Sequence, residues 1–333
     1  MSTIFFLLHT NNGSISLTCI DGHCRSFILV ANTPSDLRFR TEEPMRPASF
    51  EYHRATSLDH ALELLHQFGD EGRPIAGGQS LVPMMNFRLA RPGHLVDINR
   101  LPLNVIEIDG PVLRIGALTR HIAYFDNPLI AKYFPAFLDA VHYIGHPTIR
   151  RNGSIGGSIS HADPTAELPA VAVLYDADIV VRSLETKRKI NAAEFFLSAY
   201  VTALEPGEMV VAIELPLPPE AFTGSFVELS ERSGDFGMAS IGITLEFADG
   251  AITKAAMVCS GADLFPIRAP EIEEYLVGKP LASPGSAEAG AIFAASIDPA
   301  DDHIASAEYR RGLIAELTRR AIDIACTRAL ERS

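Results

Sequence analysis

Two short segments with paired glycines, Ile75-Ala76-Gly77-Gly78-Gln79-Ser80-Leu81 and Ser154-Ile155-Gly156-Gly157-Ser158-Ile159, constrain this chain more than any other feature. Each sets two residues without Cβ atoms beside small hydroxyl side chains. Backbone of that kind approaches a ligand closely, and its successive N–H groups converge on an anion. One Gly-Gly pair reads as an ordinary turn. Two in one domain point to a diphosphate held from both sides. The spacing excludes the commonest alternatives, because no G-x-G-x-x-G follows a strand-like run and no G-x-x-x-x-G-K-[ST] occurs anywhere.

At 333 residues, with 47% hydrophobic and 21% charged, the chain has room for two domains and a substantial core. A formal net charge of −13 argues against nucleic acid, which demands a basic face. The cysteines (Cys19, Cys24, Cys259 and Cys326) are too few and too scattered for a disulfide framework, a zinc site or an iron–sulfur cluster. Their plain reading is free thiols in the cytoplasm. No apolar run approaches the roughly 20 residues that span a bilayer.

Residues 1–44 stand apart. Ile4-Phe5-Phe6-Leu7-Leu8 is short for a signal core and has neither a basic lead nor a small-residue cleavage site. From there to residue 44 the chain shows no sustained periodicity. A misplaced translation start or a disordered extension is expected here, with an export signal as the minor alternative. Met45-Arg46-Pro47 opens the patterned part.

Ser57 caps an expected helix through Phe68, with Leu58, Ala61, Leu62, Leu65 and Phe68 on one stripe. A second helix is expected over Leu81–Leu89, and a buried strand over His94–Ile98. Asp109-Gly110 joins two short strands as a hairpin. Thr119 is expected to cap a short helix, and 128–144 to form one helix. Further on, 168–175 reads as helix, and 178–182 and 210–215 as strands around a helical turn at 192–196. Leu215-Pro216-Leu217-Pro218-Pro219 is the best linker in the chain. The expected domains are therefore 45–219 and 220–333. In the second, three strands precede helices that include a long amphipathic one from Ser306 to Arg328, an α+β pattern.

With both loops in place, the segment IAGGQSLVPMMNFRLAR (75–91) and His94-Leu95-Val96-Asp97-Ile98 resemble the FAD-binding medium subunit of molybdenum hydroxylases. This is the flavoprotein of the xanthine dehydrogenase and aerobic carbon monoxide dehydrogenase group. The stretch from Thr148-Ile149-Arg150-Arg151-Asn152-Gly153 through His161-Ala162-Asp163-Pro164-Thr165-Ala166-Glu167-Leu168-Pro169 resembles the family's second motif. Arg232-Ser233-Gly234-Asp235-Phe236 and Tyr309-Arg310-Arg311 resemble its C-terminal domain. The resemblance covers Met45 to about Arg332.

The implied fold is α+β: a two-part FAD-binding domain of the vanillyl-alcohol oxidase (PCMH) type, then a smaller α+β domain. By the resemblance, Ala76, Gly77, Gly78, Gln79, Ser80 and Leu81 hold the FAD diphosphate on one side. Ser154, Ile155, Gly156, Gly157 and Ser158 hold it on the other, and Glu167 meets the ribose or adenine side. Asp163 is equally a turn former. Gln79 stands where some covalent flavoproteins carry the flavin-linking His, which points to non-covalent FAD. Two positions depart from the family pattern. Ser158 stands where many relatives have Asn, and Glu228 where many have Lys.

The resemblance further implies a large molybdopterin-binding partner, a small partner with [2Fe–2S] clusters, and a dimer of such heterotrimers. This chain would then pass electrons from the clusters to an external acceptor, with no catalytic acid or base and no metal of its own. A stand-alone flavin oxidoreductase of the same superfold and a non-catalytic assembly subunit are the rival readings. The eleven histidines show no H-E-x-x-H or similar ligand spacing, so no metal site is expected. His161 reads as a loop hydrogen-bonder. Arg150-Arg151 is either ligand-facing or a solvated pair, and Phe236 either flanks the flavin ring or belongs to an aromatic core.

Overall fold

The computed structural model describes residues 6–11, 14–19, 45–302 and 304–332. The chain divides into two compact units, residues 1–48 with 84–91 and residues 49–83 with 92–333. In the first, the strands Phe6–Asn11 and Ser14–Cys19 pair antiparallel from Phe6↔Cys19 to Asn11↔Ser14. That hairpin differs from the patternless extension expected. Ser14-Ile15-Ser16-Leu17-Thr18 alternates hydroxyl and apolar residues at the strand period, a signal too short to register in a search for sustained patterning. The expectation for 20–44 lies outside the described residues.

The second unit starts with a three-stranded parallel sheet, in the order Glu51–Arg54, His94–Asp97, Gly72–Ile75. Parallel neighbours need a crossover, and the helix Leu58–Phe68 supplies the first. Ser57 caps it, its Oγ accepting from the His60 N–H at 3.0 Å. Ala61, Leu62 and Leu65 recur at helical spacing and are buried. Leu62 and Leu65 each contribute about 1.5–3 kcal/mol when fully removed from water. Gly69 ends the helix at φ +51, its N–H returning to Leu65 O.

A five-stranded antiparallel sheet comes next, in the order Ile106–Asp109, Val112–Gly116, Met209–Pro216, Asp178–Arg182, Lys187–Asn191. Its last strand, Lys187–Asn191, was not among the expected elements, since the charged run Lys187-Arg188-Lys189 shows no alternation of apolar residues. It is an edge strand, where lysines are favoured. The helix expected over 128–144 is two, Pro128–Tyr133 and Pro135–Tyr143. Pro135 removes the N–H that a continuous helix needs and disfavours helical geometry at Phe134, whose ψ is 65. Nor does Thr119 cap a helix: a 3-10 turn at His121–Tyr124 starts after Arg120 with no side-chain cap.

Beyond Pro216 the strands Phe222–Ser230, Gly237–Ala248, Ala251–Ser260 and Ile267–Arg268 form an antiparallel meander. The helices Pro270–Leu276, Ser286–Ser296 and Ala307–Leu330 cover one of its faces. Side chains alternate along Phe222–Ser230. Phe222 and Phe226 join the core of the preceding segment, while Val227 joins the core under the C-terminal helices. Arg328 fastens the two, pairing with both oxygens of Asp139 at 2.6 and 3.0 Å and donating to Gly224 O at 2.8 Å. A forked pair of this kind fixes geometry as well as adding energy.

Candidate functional site

The first glycine loop leaves the strand Gly72–Ile75 and enters the helix Leu81–Asn86. Gly78 sits at φ +69, a conformation that disfavours a side chain. Gly77 is constrained differently. A Cβ there would lie 1.8 Å from the carbonyl oxygen of Asn152, the last residue of the helix Pro147–Asn152. The first glycine loop therefore meets the backbone just ahead of the second, and Gly77 is what lets them close.

A polar lattice holds this junction. The Arg120 guanidinium donates to Asn152 O and, at 2.5 Å, to Asn99 Oδ1. Asn99 Nδ2 donates to Ala76 O at 2.9 Å and to Asp97 Oδ1 at 2.7 Å. Asp97 also accepts from Tyr52 Oη and the Asn99 N–H. Burial alone would raise the Asp97 pKa, but the hydrogen bonds from Tyr52, Asn99 and Arg54 outweigh it and hold the carboxyl below its usual range. Asn99 and Arg120 were missed in the sequence. The one available signal was a polar Asp97-Ile98-Asn99 ending a buried strand, just where the first loop must be anchored.

In the second loop Ser154 precedes the helix Ile155–His161. The Ile155 N–H donates to Thr119 O at 3.1 Å and the Gly156 N–H to Ala117 O at 2.9 Å. A Cβ on Gly156 would strike Ala117 at 2.6 Å, so this glycine serves packing. Gly157 is exposed, and a Cβ there would meet only Ser154 Oγ, at 3.2 Å. Its N–H lies in the first helical turn, where no intrahelical acceptor exists. Ser154 Oγ, Thr119 Oγ1 and His121 Nδ1 are buried without a partner among the described residues. Burial, with Arg120 next to it, pushes the His121 pKa down to about 4, so its ring is neutral. A cleft of about 280 Å³ opens beside Asn99, Thr119 and Arg120.

Of the residues picked out in sequence, Ala76, Gly77 and Gly78 thus stand at the junction with the second segment. Gln79 is used within its own loop, its Nε2 donating to Gly77 O at 2.9 Å. Ser80, Leu81, Gly157 and Ser158 retain some exposure around the junction, whereas the Ile155 side chain is core. Glu167 is not on a loop but opens the helix Glu167–Leu174. Asp163 forms the turn, accepting from the Thr165 N–H at 2.9 Å and from Tyr200 Oη at 3.2 Å. His161 ends a helix rather than lying on a loop, with its ring against Tyr200. Arg150 donates to His142 O and lies over the Phe125 ring. Phe236 is 70% exposed, which removes the core reading.

Sequence reading also missed a second polar feature. Glu228 shares the strand face of Phe222 and Phe226 and is only 9% exposed, and neither carboxyl oxygen has a partner among the described residues. A Cβ on Gly237 would lie 2.8 Å from its carboxyl carbon, which places the acid over the start of the next strand. Burial, with Glu167 nearby, pushes the Glu228 pKa up to about 9. Burial, with Asp163 nearby, raises that of Glu167 to about 7. Glu228 therefore holds its proton at neutral pH, while the half-buried Glu167 is in the middle of its titration.

Two glycine segments brought together, edged by N–H groups and by hydroxyls that lack partners among the described residues, make a cradle whose chemistry suits an anionic, phosphate-bearing ligand. Residues 48–218 match the FAD binding domain in molybdopterin dehydrogenase, and residues 224–325 match the CO dehydrogenase flavoprotein C-terminal domain. The chain belongs to this family of FAD-binding flavoprotein subunits of oxidoreductases. It is 40% identical to the 6-hydroxypseudooxynicotine dehydrogenase complex subunit alpha of Paenarthrobacter nicotinovorans, over 86% of this chain and 97% of that one. Against the carbon monoxide dehydrogenase medium chain of Afipia carboxidovorans it is 35% identical over 86% and 99%. The solved quinoline 2-oxidoreductase of Pseudomonas putida superposes with a TM-score of 0.81 at 30% identity, covering 86% of this chain and 99% of that chain. The fold is thus that of a two-part FAD-binding domain followed by an α+β domain.

Proposed function

We propose that this chain is the FAD-carrying electron-transfer subunit of a molybdenum hydroxylase assembled from three kinds of subunit. In this reading a large partner holds molybdopterin and oxidises the organic substrate, and a small partner holds two [2Fe–2S] clusters. This chain is the exit for the electrons. The observation that carries the proposal is the closure of Gly77 onto Asn152, which sets the two glycine segments of the family motif together. The names of the relatives support the assembly, since one is a complex subunit and another a medium chain. The same reading makes the assembly a cytoplasmic dimer of heterotrimers and sets this chain's domain boundary after Pro219. Among the described residues no helix is long and apolar enough to cross a membrane.

FAD, when bound, supplies the exchange of electrons singly or in pairs. The chain's part is to bind and orient it. Gly78, Gln79, Ser80 and Leu81 would present backbone and hydroxyl donors to one side of the diphosphate. Ser154, Gly157 and Ser158 would present them to the other, with the Arg120 charge behind both. Ile155 and Gly156 act through packing, because their N–H groups are bonded to Thr119 and Ala117. Asp97 and Asn99 hold the first loop in place. Gln79 offers no nucleophile and is engaged with Gly77, so attachment is non-covalent. Acid or heat denaturation of the purified protein is expected to release all of its flavin to the supernatant as FAD. Flavin left on the precipitated chain, or released as FMN, would contradict this.

The division of labour is tested by anaerobic reduction of the bound flavin. The isolated chain is expected not to bleach when given the complex's substrate, and to bleach once the two partner subunits are added. Rapid bleaching of the isolated chain would favour a stand-alone oxidoreductase. No bleaching in the full complex would leave a structural subunit.

A further inference from the structure

At the other end of the parallel sheet from the glycine loop, three side chains converge that the flavin site does not use. Glu51 pairs with His94 across neighbouring strands, and Gly72 pairs with His94 from the other side. The glycine loop departs beyond Ile75, opposite Asp97, three residues or about 10 Å along the sheet. His53 lies on the same face as Glu51, two residues on. His53 Nε2 and His94 Nδ1 are 3.1 Å apart, and Glu51 Oε2 lies 3.7 Å from the first and 3.6 Å from the second. Among the described residues this is the one group of three or more His, Cys, Asp or Glu with ligand atoms this close.

We propose that Glu51, His53 and His94 form a binding site for a divalent transition-metal ion of the zinc type. A point equidistant from the three donor atoms lies about 2.0 Å from each, which is the length of zinc–imidazole and zinc–carboxylate bonds. Two imidazoles with one carboxylate suit zinc and its neighbours rather than magnesium or calcium. A small turn of the two rings away from their mutual hydrogen bond would aim both nitrogens at the ion. The His94 ring stacks flat on Phe68 at 3.9 Å and 5°, and the His53 ring sits 4.7 Å from the same phenylalanine. Backbone pairing sets the separation, and the shared aromatic surface sets the ring orientations.

Without metal, the 3.1 Å contact between ring nitrogens is a hydrogen bond in which one imidazole keeps its proton. An entering ion takes the place of that proton, which moves by way of solvent to the other nitrogen of the same ring, so both imidazoles ligate as neutral donors. Both histidines are half-buried and the Glu51 side chain is 73% exposed, so the ion has an approach and water completes its coordination. Glu51–Arg54 is the edge strand of its sheet, so the bound ion clips that edge to the central strand.

The test uses the full-length, tag-free flavoprotein, stripped with a chelator and titrated with zinc alone by calorimetry. One ion per chain at micromolar affinity or better is expected, together with a rise in melting temperature. Cobalt(II) bound in place of zinc reports imidazole ligation in its visible spectrum. His53→Gln and His94→Gln should each lose the calorimetric signal. Glu51→Gln alters an exposed side chain that folding does not depend on, and should weaken binding at least tenfold. Absence of saturable binding below millimolar zinc overturns the proposal. So does binding that survives in all three variants, which would place the ion on other histidines.

Discussion

Gly77→Ala is expected to yield a folded protein that purifies almost free of flavin, with FAD affinity reduced 100-fold or more. The added methyl would sit 1.8 Å from the Asn152 carbonyl oxygen, far inside any contact two such atoms tolerate. Because the obstacle is backbone, no rotamer change relieves it, and the loops must part. Overpacking of that kind costs about 1–3 kcal/mol. Each hydrogen bond to a charged ligand group lost as the loops part adds about 1.5–3 kcal/mol. With two or more such bonds lost, these exceed the roughly 2.7 kcal/mol that a 100-fold change in Kd represents. Gly157→Val serves as the companion. Its Cβ meets only a serine hydroxyl, so the fold should keep its melting temperature while the branched side chain fills the space at the second loop. Flavin absorbance per chain, read beside circular dichroism, separates the two effects. Normal flavin content in both variants would remove these loops from the binding site.

The difference between those two glycines was not legible in the sequence. Gly77 and Gly157 look alike there, each in a Gly-Gly pair with a serine within three residues after it. What separates them is the position of Asn152, and that depends on how a helix packs against a sheet. Local chemistry was legible wherever one segment carries its own signal. Ser57 at the start of an apolar stripe, Asp109-Gly110 between short strands and Ser306 before a long helix all act within a few residues. The pattern failed where a strong local rule interrupted it, as Pro135 interrupts 128–144, or where a charged edge strand carried no apolar alternation, as at 187–191. Partnerships across long stretches of chain left no trace. Nothing around Arg120 announces Asn99 and Asn152, and nothing around His53 announces His94. Glu228 and Glu167 each stand out in the sequence for separate reasons, but nothing there makes them neighbours.

That acidic pair gives the chain a stability that falls as pH rises. In the folded state Glu228 keeps its proton up to about pH 9 and Glu167 up to about pH 7, whereas in the unfolded chain both release it near 4.5. Between these limits the folded state binds more protons than the unfolded one. The contribution is therefore fully present below about pH 4.5 and is lost as pH rises through the folded values. A single proton retained only in the folded state changes stability by about 1.4 kcal/mol for each pH unit in that window. From pH 7 to 9 Glu228 accounts for most of the change, and a fall of several degrees in melting temperature is expected. Tyr143, which also lies near it, adds no compensating positive charge. Glu228→Gln copies the shape of the neutral acid without its proton. It should melt like the parent near pH 4, exceed it increasingly as pH rises to 9, and show a flatter slope between. Glu228→Lys puts a cation beside Glu167, draws that carboxyl into ionisation and should reverse the slope contributed by the pair. Thermal melts of the three proteins across this range decide the matter. Parallel slopes in all three would mean that the Glu228 carboxyl is not the buried, proton-holding group described here.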